Sequence, residues 1–148
     1  SYPQYLDWKK SFEAGKAKPL AKGEITVESQ ENDPESILNW TRELIALRKT
    51  SEALWADSKF IPIFHEEQPY PMIYLRTNGI ETFLIALNPT GTRKSVKVNA
   101  EVAEYRSATK DIKGNVVPVK TLGKGSYKRT PKGDTITLEP TSGIIVRL

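Results

Sequence analysis

The spacing of apolar residues changes period once along the chain. In "DPESILNWTRELIALRKTSEAL" (33–54), Ile37, Trp40, Leu44 and Leu47 recur at steps of three and four. Leu38, Thr41, Ile45 and Arg48 form a neighbouring row, so the stripe is wide enough to dock on a core. This spacing predicts an amphipathic helix over 34–50. Asp33 suits the N-cap, Pro34 the first helical position and Glu35 the positive end of the helix dipole. Arg48 and Lys49 suit the other end. The segment before it, 1–32, carries no such period and reads as irregular.

From Lys59 onward the period falls to two. "KFIPIFHE" (59–66) reads as a strand that Pro62 confines to a sheet edge. "PMIYLRT" (71–77) and "IETFLIALN" (80–88) flank Asn78-Gly79, which predicts a hairpin closed by a type I′ turn. In the second of these runs Glu81, Phe83, Ile85 and Leu87 share one face, and Ile80, Thr82, Leu84 and Ala86 the other. "KSVKVNA" (94–100) points Val96 and Val98 inward. "AEYRSAT" (103–109), "NVVPV" (115–119), "GSYKRT" (125–130), "DTITLEP" (134–140) and "GIIVRL" (143–148) complete the set of expected strands. Turns are expected at "NPTG" (88–91) and "PKGD" (131–134). Many short strands separated by turns predict a mainly β chain folded as an antiparallel β-sandwich, preceded by one helix.

Composition narrows the possibilities. The 148 residues suffice for one domain with its own core. The formal charge is +4, from 22 basic and 18 acidic side chains. The basic stretches "KAKPLAK" (16–22) and "GKGSYKRTPKG" (123–133) lack the context of a nucleic-acid module, so no nucleic-acid partner is expected. With no cysteine there is neither a disulfide framework nor a thiolate metal site. No apolar run is long enough to span a membrane, and the N-terminus lacks the layout of a signal peptide. The compartment stays open.

Local candidates for chemistry are few. "HEE" (65–67) sets His65 beside Glu66 and Glu67, but successive strand residues point to opposite faces, so no metal site and no cofactor are expected. Asp57, Glu101 and Glu104 read as solvated charges. Asn39-Trp40-Thr41 fits a glycosylation pattern but falls inside the helix. "GKGSYK" (123–128) lacks the strand-to-helix setting of a phosphate loop.

The order "ITVESQ…DPESILNWTRELIALRK" resembles the C-terminal region of the α-amylase family, glycoside hydrolase family 13. There a segment of the type "INVEAQ" precedes "DP-S-L", an aromatic residue and "LI-LR". Ile25, Val27, Glu28 and Gln30 match the first part. Asp33, Pro34, Ser36, Leu38, Trp40, Leu44, Ile45, Leu47 and Arg48 match the second. "TFLIALNPTGTRKSVKV" (82–98) and "DTITLEPTSGIIVRL" (134–148) resemble strands of the Greek-key sandwich that follows, domain C. The resemblance implies that 1–55 is a remnant of a catalytic (β/α)8 barrel, with 34–50 its last helix, and that 56–148 is the sandwich. Ile37, Trp40, Leu44 and Leu47 would then be the barrel-packing face. It further implies a non-catalytic C-terminal fragment of a hydrolase acting on α-glucans or α-glucosides. Its partner is the barrel of the same parent polypeptide, and the fragment's role is to brace it. The family's catalytic carboxylates lie upstream, so no catalytic residue is assigned. Tyr2, Tyr5 and Trp8 are candidate carbohydrate contacts at the barrel rim, or else plain hydrophobic anchors. A helix face without its barrel also implies a homodimer of the fragment. The alternatives are a carbohydrate-binding or a protein-interaction β-sandwich module.

Overall fold

The computed structural model describes residues 26–63, 69–98, 100–112, 116–130 and 133–148, together with Leu6, Lys9 and Lys10. Tyr2, Tyr5, Trp8, His65, Glu66 and Glu67 lie outside the described residues. The chain divides into two compact units, 1–45 and 46–148.

In the first unit the segment read as irregular is partly helical. Leu6, Lys9 and Lys10 have helical backbone. A short helix α1 (Val27–Glu31) starts at Thr26, whose hydroxyl accepts from the Ser29 amide at 3.1 Å. The Ser29 hydroxyl accepts in return from the Thr26 amide at 3.0 Å, and this reciprocal capping stabilises a helix too short to stand on periodicity. The main helix, α2 (Ile37–Thr50), begins three residues later than the sequence predicts. Asp33 accepts from the Glu35 amide at 2.9 Å and so caps a turn before the helix. The buried Ser36 is the cap instead: its hydroxyl accepts from the Asn39 amide at 3.3 Å.

The second unit is an antiparallel sandwich. One sheet has the order β1-β2-β3-β8-β5, the other β4-β7-β6. The strands are β1 (Lys59–Pro62), β2 (Met72–Thr77), β3 (Thr82–Asn88), β4 (Lys94–Lys97), β5 (Lys120–Leu122), β6 (Gly125–Lys128), β7 (Thr135–Leu138) and β8 (Ser142–Arg147). The chain changes sheet between β3 and β4, β4 and β5, β5 and β6, and β7 and β8, so the winding is of Greek-key type. Between the sheets, Ile73, Leu75, Leu84, Ala86, Ile144 and Val146 of the larger meet Tyr127, Ile136 and Leu138 of the smaller, all nearly sealed from water. Val98 is buried and Val96 packs on the same core, as their alternation predicts. Pro62 does lie on an edge strand.

Three local expectations fail, each for a physical reason. Residues 103–109 form a helix, α3 (Ala103–Thr109), not a strand. Tyr105 and Thr109 are its buried positions, four residues apart, and the other residues are mostly good helix formers. Of the expected strand 115–119, Asn115 lies outside the described residues, and 116–118 make no strand; pairing starts at Val119, whose amide donates to the Ile145 carbonyl at 2.8 Å, and Pro118 has no N–H to offer a ladder. The β2–β3 hairpin is present, but Thr77 pairs with Thr82 and the loop spans 78–81, so it is not a type I′ turn. Gly79 alone in that loop has positive φ (+91°). The Asn78 side chain replaces the tight turn by accepting from the amides of Ile80 (3.0 Å) and Glu81 (2.8 Å).

Gly125 on β6 leaves no room for a side chain against its neighbours in both sheets. A Cβ built there would stand 2.6 Å from Leu138 Cδ2 and 2.7 Å from Ile144 Cγ2. Gly125→Ala should therefore lose about 1–3 kcal/mol of stability by overpacking. Gly91→Ala, where nothing lies within 4 Å, is the matched control. Chemical denaturation of both variants checks the difference.

Candidate functional site

The larger sheet has a second apolar face, turned away from the sandwich core. Register sets its rows: Phe60, Arg76, Phe83 and Arg147 in one, Pro62, Tyr74, Ile85, Ile145 and Lys120 in the next. Side chains opposite one another across a ladder share a face, so these rows form a continuous surface. Part of it is covered from within the unit. Ala53, in the 3₁₀ turn after α2 (Glu52–Leu54), is buried in one cluster with Phe83 and Ile85, and Leu47 near the end of α2 and Leu54 pack against that cluster. Ala53 is fully buried and Phe83 is 1% exposed. The second unit thus takes in the end of the helix in addition to 56–148.

Polar bonds pin this cover. The Trp55 indole donates to the Arg48 carbonyl at 3.0 Å, which satisfies one of the free carbonyls at the end of α2. Arg76 on β2 donates to the Trp55 carbonyl. The Ser58 hydroxyl donates to the Glu52 carbonyl at 2.8 Å. Beyond the cover some of its apolar side chains stay accessible. Phe60 is 55% exposed, with its ring centroid 4.8 Å from that of Tyr74, and Met72 at the start of β2 is 37% exposed.

The predicted helix face divides along its length. Leu47 is half-buried against the cluster of Ala53, Phe83 and Ile85. Trp40 and Leu44 are half-buried, and Ile37 is 80% exposed. No residue of α2 is fully buried. The family-like residues around its start form a hydrogen-bonded knot. Asn39 Nδ2 donates to the carbonyls of Gln30 (2.9 Å), Glu31 (3.2 Å) and Asp33 (2.9 Å). The Ser36 hydroxyl donates to the Gln30 carbonyl at 2.7 Å, and Gln30 Oε1 accepts from the Leu38 amide at 3.2 Å. Gln30, Asp33 and Ser36 of the motif therefore have a local job: they turn the chain between α1 and α2.

A second cluster escaped sequence reading. Asp134, nearly buried, accepts from the hydroxyls of Tyr105 and Tyr127 and from Arg129 Nη1 at 3.4 Å. Tyr105 and Tyr127 are themselves bonded at 2.9 Å. Arg129 Nη2 also donates to the Thr109 carbonyl at 2.7 Å, so one guanidinium caps α3 and holds the carboxylate. Burial, reinforced by the Asp134 carboxylate, pushes the Tyr105 hydroxyl well above its ordinary range. Burial raises Tyr127 as well. The cluster fastens α3 to the smaller sheet. Its members lie 29 residues apart at most, and no sequence motif joins them.

A cleft of ≈680 Å³ opens at the end of the sandwich beside the hairpin tip, lined among others by Asp57, Lys59, Asn78, Glu104 and Ser107. Among the described residues no group of three or more His, Asp or Glu converges as metal ligands would, and no helix is long and apolar enough to cross a membrane.

No protein-family description matches the chain, and no curated protein matches it in sequence. Solved structures do. Trehalose-6-phosphate hydrolase of Bacillus licheniformis matches with a TM-score of 0.67 at 20% identity, over 88% of this chain and 21% of that one. The α-amylase from H. orenii matches with a TM-score of 0.60 at 18% identity, over 82% and 22%. Isomaltulose synthase from Klebsiella sp. LX3 matches with a TM-score of 0.61 at 19% identity, over 84% and 20%. The chain therefore shares its fold with part of α-amylase-family enzymes, as its helix motif suggests. It spans about a fifth of the length of the structures it matches.

Two outcomes are expected. Phe83→Ala should cost about 3–5 kcal/mol, while Ile37→Ala should stay within about 0.5 kcal/mol in this chain. Urea unfolding of the two variants checks this. Alkaline titration tests the buried tyrosines. Their raised native pKa means the native state keeps protons that the unfolded state loses, so stability should fall as pH rises past about 10, the unfolded tyrosine value. Phenolate absorbance should lag for Tyr105 and Tyr127 and then jump as the chain unfolds.

Proposed function

We propose that this chain is the non-catalytic C-terminal part of an α-amylase-family glycoside hydrolase acting on α-glucans or α-glucosides. Residues 1–55 belong to the catalytic barrel, with 34–50 as its last helix, and 56–148 are domain C. The sandwich acts as a brace: its larger sheet receives the end of the barrel helix and steadies it. The observation that carries this reading is the division of α2. Near its end Leu47 packs on the cluster of Ala53, Phe83 and Ile85, while Ile37 at its start offers an apolar side chain to water. A helix anchored at one end and apolar at the other fits a junction to a further packed body. The motif "DPESILNW" and the shared fold support the same assignment.

Within this reading Ile37, Trp40 and Leu44 pack on barrel strands, and Tyr2, Tyr5 and Trp8 sit near the sugar-binding rim.

The decisive comparison is between this chain and its natural gene product, which should hold a barrel of about 250 residues upstream. Reducing sugar should be released from starch, maltose or isomaltose by the full product and not by this chain. Ile37→Asp should be nearly silent here, yet cost the full product about 2–5 kcal/mol of stability. Turnover by the chain alone, or a silent Ile37→Asp in the full product, overturns the proposal.

A further inference from the structure

The outer face of the smaller sheet carries a different chemistry from that of the larger one. Register places three residues of each strand or its flank on it: Arg93, Ser95 and Lys97 along β4, Glu139, Thr137 and Thr135 along β7, and Lys124, Ser126 and Lys128 along β6. The alternate positions, Val96, Ile136, Leu138 and Tyr127, turn into the core. The face is thus a grid of four cations, four hydroxyls and one carboxylate, with no aliphatic or aromatic side chain. The cations stand at its corners, at the ends of β4 and β6. With strands about 4.8 Å apart and residues about 3.3 Å apart, they mark a rectangle of roughly 10 by 13 Å. Lys97, Lys124, Lys128 and Arg93 are exposed. The one carboxylate, Glu139, is paired with Arg93 at 3.2 Å. Among the described residues no carboxylate pairs with the three lysines. Ser95 and Thr137 hydroxyls bond across the strands at 2.9 Å. One end of the grid is hollowed into a depression of ≈550 Å³ lined by Arg93, Lys124, Ser126, Thr137 and Glu139.

We propose that this face binds an anionic polysaccharide. The corner cations hold its sulfate or carboxylate groups, and the central hydroxyl rows exchange hydrogen bonds with its sugar hydroxyls. Charge complementarity chooses an anionic occupant, since the grid concentrates three net positive charges on three short strands. Chemistry narrows it further. A single-stranded nucleic acid wants aromatic platforms for its bases, and the face has none. A membrane surface wants apolar side chains to insert, and it has none of these either. A neutral glucan gives the four cations nothing to pair with. Lysines on edge strands also deter strand addition, but that role needs neither the hydroxyl rows of the central strand nor the hollow. The inference is independent of the bracing role, which uses the opposite sheet.

The test measures affinity of the chain for dextran sulfate, polygalacturonate, neutral dextran and a DNA duplex over a range of salt. Both anionic polysaccharides should bind, with affinity falling steeply as salt screens the cations, and neutral dextran should not. Lys97→Gln, Lys124→Gln and Lys128→Gln together should weaken binding about tenfold or more, with unchanged thermal melting. The same loss of charge elsewhere, through Lys49→Gln, Lys59→Gln and Lys110→Gln, should leave affinity within about twofold. No binding of either anionic polysaccharide overturns the proposal, as does an equal loss in the control variant. DNA held as tightly as the polysaccharides and through the same lysines overturns it too, because the face would then be a general polyanion contact.

Discussion

Strand β3 must be buried on both sides. Leu84 and Ala86 point into the sandwich, and Phe83 and Ile85 point out of it; all four are buried. An antiparallel sheet of a sandwich ordinarily shows its outer face to water. Here that face is apolar at its centre and needs a cover, and the cover is the chain just upstream. The run from Leu47 to Trp55 is shaped by this need. The helix must stop at Thr50, the 3₁₀ turn must bring Ala53 against the ring of Phe83, and Trp55 must return to the helix end to bond the Arg48 carbonyl. Arg76, facing outward beside Tyr74, then ties Trp55 to β2.

This dependence explains what could be read from the sequence. The two faces of 80–88 are plain in its alternation, but that both are buried at its centre is shown only by the packing. The sandwich and the inward valines follow from the same period, and the edge position of β1 from the N–H that Pro62 lacks. Residues 103–109 escaped because seven residues with two inward positions fit either period; the partners of Tyr105 are Tyr127 and Asp134, far along the chain. The tip at 78–81 escaped because Asn-Gly signals a turn without fixing its length, and the Asn78 side chain supplies the missing bonds. At the helix start the sequence points to Asp33 as the cap and Pro34 as the first helical residue. Only the knot around Asn39 decides that Ser36 is the cap instead.

The candidate surfaces were legible to different degrees. The stripe Ile37, Trp40, Leu44 and Leu47 was evident from spacing, but not that Leu47 serves the sandwich while Ile37 is left to water. Charge on the smaller sheet was visible only as scattered lysines. Strand order turns "RKSVK" and "KGSYK" into two sides of one rectangle, although they lie far apart in the chain. Two sheets of one small sandwich thus carry opposite outer surfaces, one apolar and one cationic.

The burial of Ala53 has a consequence for modularity. A gene segment cut at the visible start of the strands, near residue 59, would leave Phe83 and Ile85 without the residues that cover them. The inheritable unit is the sandwich with its cover, beginning inside the helix. A recombination event that moved the strands alone to a new host would deliver a sheet already in want of a partner. A shuffled copy survives most readily when the last turn of a helix travels with it.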